Sequence, residues 1–417
     1  MADNKDKKVL NVPDKRNVPA IRFVEYTEDY ARTTLGKIGN TYNGLTGKSA
    51  EDFGQGFPYI TYKSIFDNSR VDISRVEYVQ ISDIEQHNKK QNKVARGDIF
   101  FTTSSETPEE VGMTSVLLDN IEDCYLNSFC FGYRVYSQEQ YLPEYLRFYL
   151  RSSIIRKKLF VLAQGSTRFN LSKNEVMRIS INMPKALEQR KIARFLTLLE
   201  ERITTQNKII ERLETLIKGI VDFIFTANKF PKVPFKEIYI HAGEGGTPAT
   251  SIPEYYDNGT IPFIKIDDLQ NKYIESNKDY ITELGLQKSS AWIVPSNSII
   301  YSNGATIGAI SINLFPVCTK QGILGIVPKA NINVEFLYYF MTSTVFTKAV
   351  ERIVTEGTMR TAYLKDINHI LCPIPCSARQ NEIAKLLSNL SAKLENEMAF
   401  QKKLREQKDF LLSQMFI

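Results

Sequence analysis

The sequence predicts a tandem duplicated α+β protein, in which two mixed α/β domains are joined by two long antiparallel helices that form a coiled-coil spacer. Three observations predict this architecture: an internal repeat, short aromatic and β-branched runs bounded by Gly, Pro, Asn and Ser, and a heptad pattern of apolar residues. The chain has 417 residues, of which 43% are hydrophobic and 24% charged. At roughly 150 residues per domain, that length fits two or three globular units.

The internal repeat is clearest where the two charged helical segments begin. EQRKIARFL (188–196) matches RQNEIAKLL (379–387) at an offset of 191 residues, and the same offset aligns EYLRFYL (144–150) with EFLYYFM (335–341). Upstream, similar strings keep their order while the offset drifts, which indicates a duplication with different loop lengths. The predicted organisation is a flexible N-terminal tail, a first domain, a central spacer helix, a second domain and a C-terminal spacer helix, at residues 1–19, 20–184, 185–229, 230–375 and 376–417.

Both domains carry strand signals followed by a helix signal. The strand signals are FPYITY (57–62), DIFFTT (98–103), CFGYRVY (130–136), IPFIKI (261–266) and SIIYS (298–302). Apolar residues spaced three and four apart predict helices at 142–163 and 333–354, the first with Pro143 in its first turn. This mixture predicts α+β domains with antiparallel or mixed sheets.

The central helical segment has apolar residues at alternating spacings of four and three. Its seam consists of Leu199, Ile203, Gln206, Ile210, Leu213, Ile217 and Ile220. This heptad pattern, with one polar slot, predicts a coiled coil. A helix from Leu196 to Ile224 has 29 residues, and at about 1.5 Å per residue it is roughly 43 Å long. Because one turn of duplex DNA is roughly 34–36 Å, such a rod suffices to set two DNA readers about one turn apart.

The C-terminal helical segment repeats this spacing with a more polar seam. The corresponding positions are Leu390, Leu394, Glu397, Gln401, Leu404, Lys408 and Leu411. The polar positions predict either weaker pairing or a register shifted to include Met398, Phe400 and Leu412.

Composition excludes several classes of protein. Five cysteines is an odd number and is small for this length, which excludes a disulfide scaffold and favours a reducing cytoplasm. No apolar run is long enough to cross a bilayer, and MADNKDKKVL lacks the apolar core of a signal peptide. Three histidines leave little room for a His-built metal centre. The net charge of +6 mildly favours a polyanionic partner.

The motifs that suggest catalysis or cofactor binding are incomplete. NGLTGKS (43–49) has two residues between its glycines where a phosphate loop needs four, so a Gly-rich surface loop or a contact to DNA phosphates is the better interpretation. GEGGTP (243–248) is typical of a tight turn. His369, Cys372 and Cys376 have no second pair at metal-ligand spacing. No Asn-Pro-Pro-aromatic string of an amino-methyltransferase occurs. We therefore predict no catalytic residue and no metal site.

Several loops instead carry polar and basic side chains suited to nucleic acid. GSTRFN (165–170) and GTMRTA (357–362) place Gly, a small residue and Arg at matching positions after a helix. TSSETPEEVGMTS (103–115) and YSNGATIGA (301–309) add further hydrogen-bonding groups. Arg reads guanine, Asn and Gln read adenine, and Ser, Thr and Lys hold phosphates. From composition alone, DNA readout and a plain surface-loop role both remain open.

The sequence resembles the specificity subunits of type I restriction–modification systems over nearly its whole length. Two strings resemble the openings of target-recognition domains: YNGLTGKS…GFPYITYKSIF (42–66) and GGTPATSIPEYYDNGTIPFIKIDDL (245–269). The strand and loop that follow in this family are resembled by RGDIFFTTSSETPEEVG (96–112) and IIYSNGATIGAI (299–310). The starts of its two spacer helices are resembled by LEQRKIARFL (187–196) and SARQNEIAKLL (377–387). Their order, present in duplicate, carries the resemblance.

The resemblance implies a chain that is not itself catalytic and binds no cofactor. Each target-recognition domain is expected to read half of a bipartite double-stranded DNA sequence, while the helices set the gap. The helices are also expected to dock two modification subunits, which bind S-adenosylmethionine and methylate adenine. Restriction subunits that use ATP and Mg are possible further partners. No membrane partner is expected.

Individual contacts follow from these loops and from the resemblance. The expected DNA contacts are Tyr62, Lys63, Ser104, Ser105, Ser166, Thr167, Arg168, Lys265, Asn303, Thr306, Thr358 and Arg360. The expected helix seam and partner interface comprise Leu199, Ile203, Ile210, Leu213, Ile217, Leu394, Leu404 and Leu411. For Arg168 and Arg360, a salt bridge at a helix end is the alternative. For the whole chain, the alternatives are a coiled-coil adaptor without DNA binding and a self-sufficient DNA-modifying enzyme.

Overall fold

The computed structural model describes residues 17–82, 92–227, 229–304, 306–354 and 360–417. The chain forms two compact units. The first runs to Thr205 and includes Gln401–Ile417, and the second is Gln206–Phe400. Each unit contains one strand-rich domain together with parts of both long helices.

The first unit is built on short strands in which aromatic and β-branched residues are buried. Its strands are β1 (Ala31–Thr34), β2 (Gly39–Asn43), β3 (Phe53–Ile60), β4 (Glu77–Val79), β5 (Ile99–Thr102), β6 (Ser104–Ser105), β7 (Thr114–Val116), β8 (Tyr125–Leu126), β9 (Cys130–Val135), β10 (Phe169–Asn170) and β11 (Ser180–Met183). An antiparallel sheet has the order β2-β9-β5-β7, and a mixed sheet has the order β4-β3-β8. The pairs β1-β11 and β6-β10 are antiparallel.

The second unit has strands of the same kind. They are β12 (Lys232–Pro234), β13 (Tyr239–Glu244), β14 (Ile261–Ile264), β15 (Tyr273–Ile274), β16 (Tyr280–Ile281), β17 (Ile299–Ser302), β18 (Ile310–Asn313), β19 (Cys318–Thr319), β20 (Ile323–Pro328) and β21 (Leu371–Pro373). The sheet orders are β13-β20-β17-β18-β15, β16-β14-β19 and β12-β21.

The two units share one topology, which confirms the duplication at the level of strand pairing. Strand β3 pairs in parallel with β8 and antiparallel with β4, and β14 pairs in the same senses with β19 and β16. The order β2-β9-β5-β7 reappears as β13-β20-β17-β18. The second unit adds β15 as a parallel neighbour of β18. At the matching place in the described part of the first unit, Arg70 and Val116 form an isolated parallel bridge.

The helices lie where the apolar periodicity predicts them, with one correction. They are α1 (Leu35–Ile38), α2 (Tyr62–Asp67), α3 (Pro143–Tyr149), α4 (Ser153–Leu162), α5 (Lys173–Met177), α6 (Ala186–Ala227), α7 (Glu283–Gln287), α8 (Val334–Thr342), α9 (Thr344–Ile353), α10 (Leu364–Ile367) and α11 (Ser377–Gln414). The single helices predicted at 142–163 and 333–354 are wrong, because each is a pair of helices. Ser152 and Ser343 adopt extended backbone, and each hydroxyl donates to a carbonyl three residues earlier at 2.6 Å.

Matching aromatic contacts close the core of each unit. In the first unit, Phe416 of the C-terminal segment lies 5.6 Å from the rings of Tyr145 and Tyr149. In the second unit, Phe225 near the end of α6 lies 5.4 and 5.3 Å from Phe336 and Phe340. These residues correspond at the repeat offset of 191. Each domain therefore buries the end of one long helix in its core.

Equivalent glutamines fix the start of each long helix. Gln189 is 1% exposed; its amide nitrogen donates to the Pro184 carbonyl, and its amide oxygen accepts from the backbone of Leu142. Gln380 makes the matching bonds to Pro375 and Asn333. Buried amides bonded at both ends hold the helix starts at fixed angles to α3 and α8.

All five cysteines are free thiols. Among the described residues, no helix combines the length and apolar character that a membrane span requires. Within the same residues, no cluster of three or more His, Cys, Asp and Glu side chains is placed to bind a metal ion.

Candidate nucleic-acid interface

In the first unit, several predicted contact residues converge on one surface. The Tyr62 hydroxyl donates to the Ser104 carbonyl at 2.7 Å, and strand β6 pairs with β10, which follows Arg168 directly. The Arg168 guanidinium carbon lies 5.8 Å from the ring centroid of Phe129. Lys63 adjoins this group on α2. Long-range pairing of strands thus collects residues that are far apart in sequence.

An open cavity of about 620 Å³ lies beside this surface and is called the aromatic cavity here. Its lining includes Phe53, Phe129, Tyr62, Lys48 and Lys63. Phe53 is 38% exposed and Phe129 is 55% exposed. Lysines hold DNA phosphates, and a Phe ring makes apolar contact with thymine methyl groups. The surface therefore combines both kinds of group that duplex DNA contacts require.

The Arg-bearing loop of the first unit presents its side chains to solvent. Ser166, Thr167 and Arg168 are exposed. Arg168 forms no salt bridge with any residue that the structure describes, so the alternative of a helix-end ion pair has no support there. The cation–π contact with Phe129 leaves the guanidinium available to an external acceptor.

The serines beside this loop have a different role. Ser104 and Ser105 are 4% and 6% exposed, and the Ser105 hydroxyl donates to Glu110 at 3.1 Å. Buried side chains offer DNA no atom unless the loop moves. We therefore assign both serines to the support of the loop.

In the second unit, two loops are tied together by Asn303. Its side-chain amide donates to the Ala362 carbonyl at 3.2 Å, and its own carbonyl accepts from Ala362 at 2.9 Å. Asn303 is 1% exposed, so it positions the loops and presents no side-chain atom to solvent. Thr306 and Arg360, on the two tied loops, are exposed. The fold thus brings these two predicted contacts onto neighbouring loops.

The remaining predicted residues of the second unit are less clearly placed. The Lys265 ammonium pairs with Asp279 at 2.7 Å and is 43% exposed. The exposed Lys320, which follows β19, donates its backbone N–H to the Ile264 carbonyl and therefore lies beside Lys265. Thr358 lies outside the described residues.

Sequence reasoning missed Phe53 and Phe129 as members of this surface. Neither residue belongs to a motif. Phe129 reaches the surface because its carbonyl accepts from the backbone N–H and the hydroxyl of Thr103 at 2.9 and 2.8 Å. Only the pairing of distant segments reveals these aromatic side chains, so no local pattern indicates them.

The long helices form an antiparallel pair, and several residues of the predicted seam are buried or bonded across it. Along α6, Leu199, Gln206 and Ile210 are buried. In the first unit, Glu200 pairs with Lys408 at 2.7 Å. In the second, Gln206 donates to the Glu397 carboxylate at 2.6 Å. The residue numbers of α11 fall as those of α6 rise, which defines the antiparallel sense.

Of the residues that the shifted register of the second helix would include, Leu412 is half-buried and packs against the first core, whereas the other two are exposed. Met398 and Phe400 are 48% and 38% exposed, whereas Leu394, Glu397 and Leu404 lie at half-buried or buried positions. The polar seam is tolerated because its side chains find partners across the helix pair. Among the predicted interface residues, Leu394 and Leu411 are half-buried and Leu404 is 4% exposed.

A second apolar stripe lies on the outer face of α6. Ile209, Leu216 and Phe223 are spaced seven residues apart and are 38%, 51% and 67% exposed. The predicted interface residues Ile203, Ile210, Leu213 and Ile217 are buried or half-buried in the seam. The outer stripe is therefore apolar surface of this helix that lies outside the seam and is open to a partner.

Comparison with known proteins defines the class. The family model of the type I restriction modification DNA specificity domain matches residues 27–215 and 232–405. The chain belongs to this family and carries two copies of its domain.

A curated relative and two solved structures are similar to the chain over most of its length. The chain is 24% identical over 402 residues to a protein of Methanocaldococcus jannaschii assigned as the MjaX type I restriction enzyme specificity subunit, covering 88% of this chain and 91% of the relative. The fold resembles the crystal structure of the type I restriction–modification S subunit from M. genitalium, with a TM-score of 0.57, 15% identity and coverage of 96% and 99%. A chain from a structural study of type I assembly and conformational transition has a TM-score of 0.60, 18% identity and coverage of 93% and 97%.

Proposed function

We propose that this chain is the specificity subunit of a type I restriction–modification complex, and that each unit reads one half of a bipartite duplex DNA target. The observation that carries the proposal is the duplicated domain, which in each copy places exposed basic and hydroxyl side chains on neighbouring loops. The two sets of loops differ in sequence, so the two half-sites are expected to differ. The paired helices would fix the gap between the half-sites.

The helices would also dock two modification subunits that methylate adenine. The outer stripe of Ile209, Leu216 and Phe223 supports this proposal, because exposed apolar side chains in register are typical of a protein interface. In this arrangement the chain itself is not catalytic. S-adenosylmethionine would bind to the modification subunits, and ATP and Mg to restriction subunits where these join. The complex would act in the cytoplasm, on the cell's DNA.

Single-molecule methylation mapping tests the proposal directly. A genome that carries this chain and its modification partner is compared with one from which only this chain is deleted. We expect an adenine-methylated bipartite motif with a fixed gap, which is lost on deletion. Unchanged methylation, with the partner expressed and active, would favour a coiled-coil adaptor. Methylation of DNA by the purified chain alone, with S-adenosylmethionine, would show a self-sufficient enzyme.

Replacing Arg168 with alanine is expected to weaken specific DNA binding by about 1–3 kcal/mol if the guanidinium reads a base. The reason is the loss of charge-assisted hydrogen bonds from an exposed side chain that is held only by the Phe129 ring. Binding is measured on the assembled complex at fixed salt, with cognate and scrambled duplexes. Arg178→Ala, which removes another exposed arginine of the same unit, is the control. If the Arg168 variant bound each duplex with the same affinity as the parent, Arg168 would not belong to the interface.

Replacing Leu216 with glutamate is expected to weaken the association with the modification subunit at least tenfold, because a charge would be buried in an apolar contact. Thr215→Glu adds the same charge at the neighbouring exposed position and serves as the control. Association is measured by analytical ultracentrifugation, with circular dichroism to verify the helices. Full association of the Leu216 variant would exclude the outer stripe as the docking surface.

A further inference from the structure

A second cavity, of about 350 Å³, lies in the first unit where the domain meets the long helices. Its charged lining residues are Asp67, Arg70, Arg147, Arg151, Glu200 and Lys408. Four cations thus face two carboxylates around one space, which is called the basic cavity here. It shares no lining residue with the aromatic cavity.

Only part of this positive charge is balanced within the wall. Glu200 accepts from both Arg147 and Lys408, so one carboxylate serves two cations. Arg151 donates to the backbone carbonyls of Ile65, Phe66, Asn68 and Thr114, which carry no net charge. Arg70 pairs with Asp119 at 2.8 Å outside the cavity lining.

The buried guanidiniums are held at an energetic cost. The Arg147 side chain is 9% exposed, and burial lowers its pKa even with Glu200 beside it. Burial, together with the neighbouring charges of Arg156 and Arg147, lowers the pKa of Arg151 to about 10. Nη1 of Arg147 and of Arg151 donates to none of the residues that the structure describes. A bound anion would relieve both the repulsion and the missing acceptors.

The duplicated unit carries different side chains at the aligned positions. At the repeat offset of 191, Arg147, Arg151, Glu200 and Lys408 correspond to Tyr338, Thr342, Ser391 and Ile217. Every one of these counterparts is uncharged. In the second unit a buried lysine, Lys272, lies over the Tyr338 ring at 5.9 Å and pairs with Glu335 at 3.4 Å. The cations at Arg147, Arg151 and Lys408 are therefore particular to the first unit, and the second unit balances this buried cation with a carboxylate beside it.

We propose that the basic cavity binds the phosphate group of a ligand. Guanidiniums match phosphate oxygens in pairs, and Lys408 adds a point charge. The volume is at the lower end of the roughly 300–1,000 Å³ found for small-molecule sites. Phe148, Ile203 and Leu412 supply an apolar wall, which suits the organic part of a phosphomonoester. The phosphate group belongs either to such a free compound or to the DNA backbone.

The test is isothermal titration of the purified full chain with inorganic phosphate and with adenosine 5′-monophosphate, each against chloride at equal ionic strength. We expect saturable binding of one phosphate group per chain. Arg70→Gln and Lys408→Gln, at partly exposed lining positions, should each weaken it roughly tenfold or more through the loss of a charge-assisted hydrogen bond. Arg147→Tyr, which copies the second unit, should abolish it.

The matched control is Arg178→Gln, since Arg178 is exposed, is paired with Glu175 and does not line this cavity. It should bind like the parent. Competition by a duplex oligonucleotide would assign the phosphate to the DNA backbone, and independent binding of both would assign it to a free compound. Two results would overturn the proposal. One is a heat of titration with phosphate that does not exceed the heat with chloride. The other is equal phosphate affinity in the parent, Arg70→Gln and Lys408→Gln. The test does not depend on the proposed DNA target.

Discussion

Replacing Asp98 with alanine is expected to lower the stability of the first unit by about 3–5 kcal/mol, the range found when one partner of a buried ion pair is removed. The Asp98 carboxylate is fully buried. It accepts from the Arg134 guanidinium at 2.6 and 2.7 Å, from the Tyr42 hydroxyl at 2.6 Å and from the backbone of Ala95 at 2.8 Å. Four donors would lose their acceptor in the variant.

The loss of stability should fall in the lower part of that range, because the Arg134 side chain is 47% exposed and can form hydrogen bonds to water instead. The Tyr42 hydroxyl is less able to reach water. Burial and the Asp98 carboxylate raise its pKa far above the ordinary value, so the hydroxyl stays protonated and needs an acceptor. Asp98→Asn keeps the shape and part of the hydrogen bonding, and we expect it to cost less than the alanine variant.

Hydrogen exchange resolved by unit is the suitable measurement, because a chain with two units need not unfold in one step. Exchange should rise in β2, β5 and β9 and stay unchanged in the second unit, where Ser298 occupies the aligned position. Glu28→Ala removes an exposed pair with Lys185, and it should cost less than about 1 kcal/mol. Equal costs for Asp98→Ala and Glu28→Ala would contradict the role assigned to Asp98.

Replacing Phe225 or Phe416 with alanine is expected to cost about 3–5 kcal/mol in the unit that buries the ring. Phe225 is 5% exposed and Phe416 is 2% exposed, and each packs against two aromatic rings. Alanine would leave a cavity that close-packed neighbours fill only in part. Phe225→Ala should raise hydrogen exchange in α8 and α9, and Phe416→Ala should raise it in α3 and α4.

Exposed phenylalanines on the same two helices provide the controls. Phe223 is 67% exposed and Phe410 is 57% exposed, so their alanine variants should change stability by no more than about 0.5 kcal/mol. Heat denaturation and hydrogen exchange of all four variants distinguish the loss of a buried ring from the loss of an exposed one. If Phe416→Ala and Phe410→Ala were equally stable, the C-terminal segment would not close the first core.

Much of the architecture was predictable because local sequence patterns and the internal repeat determine it. Helix starts, strand cores and the α6 seam follow from periodicity, and the offset of 191 relates Gln189 to Gln380. The helix breaks at Ser152 and Ser343 were missed, since a serine inside an apolar period gives no strong local stop signal. The register of α11 was left open because its polar seam residues depend on partners in α6.

The sequence by itself determined the duplication, the class of fold, the spacer helices and the loops that carry Arg168 and Arg360, because these rest on repeats and short-range periodicity. Only the tertiary structure decided which of these side chains are exposed and can contact a binding partner. It buries Ser104 and Asn303, exposes Phe129 beside Arg168, and separates the outer stripe of α6 from its seam. It also collects Arg147, Glu200 and Lys408 around one cavity. Such placements depend on contacts between residues as far as 53 and 208 positions apart, and no local pattern encodes them.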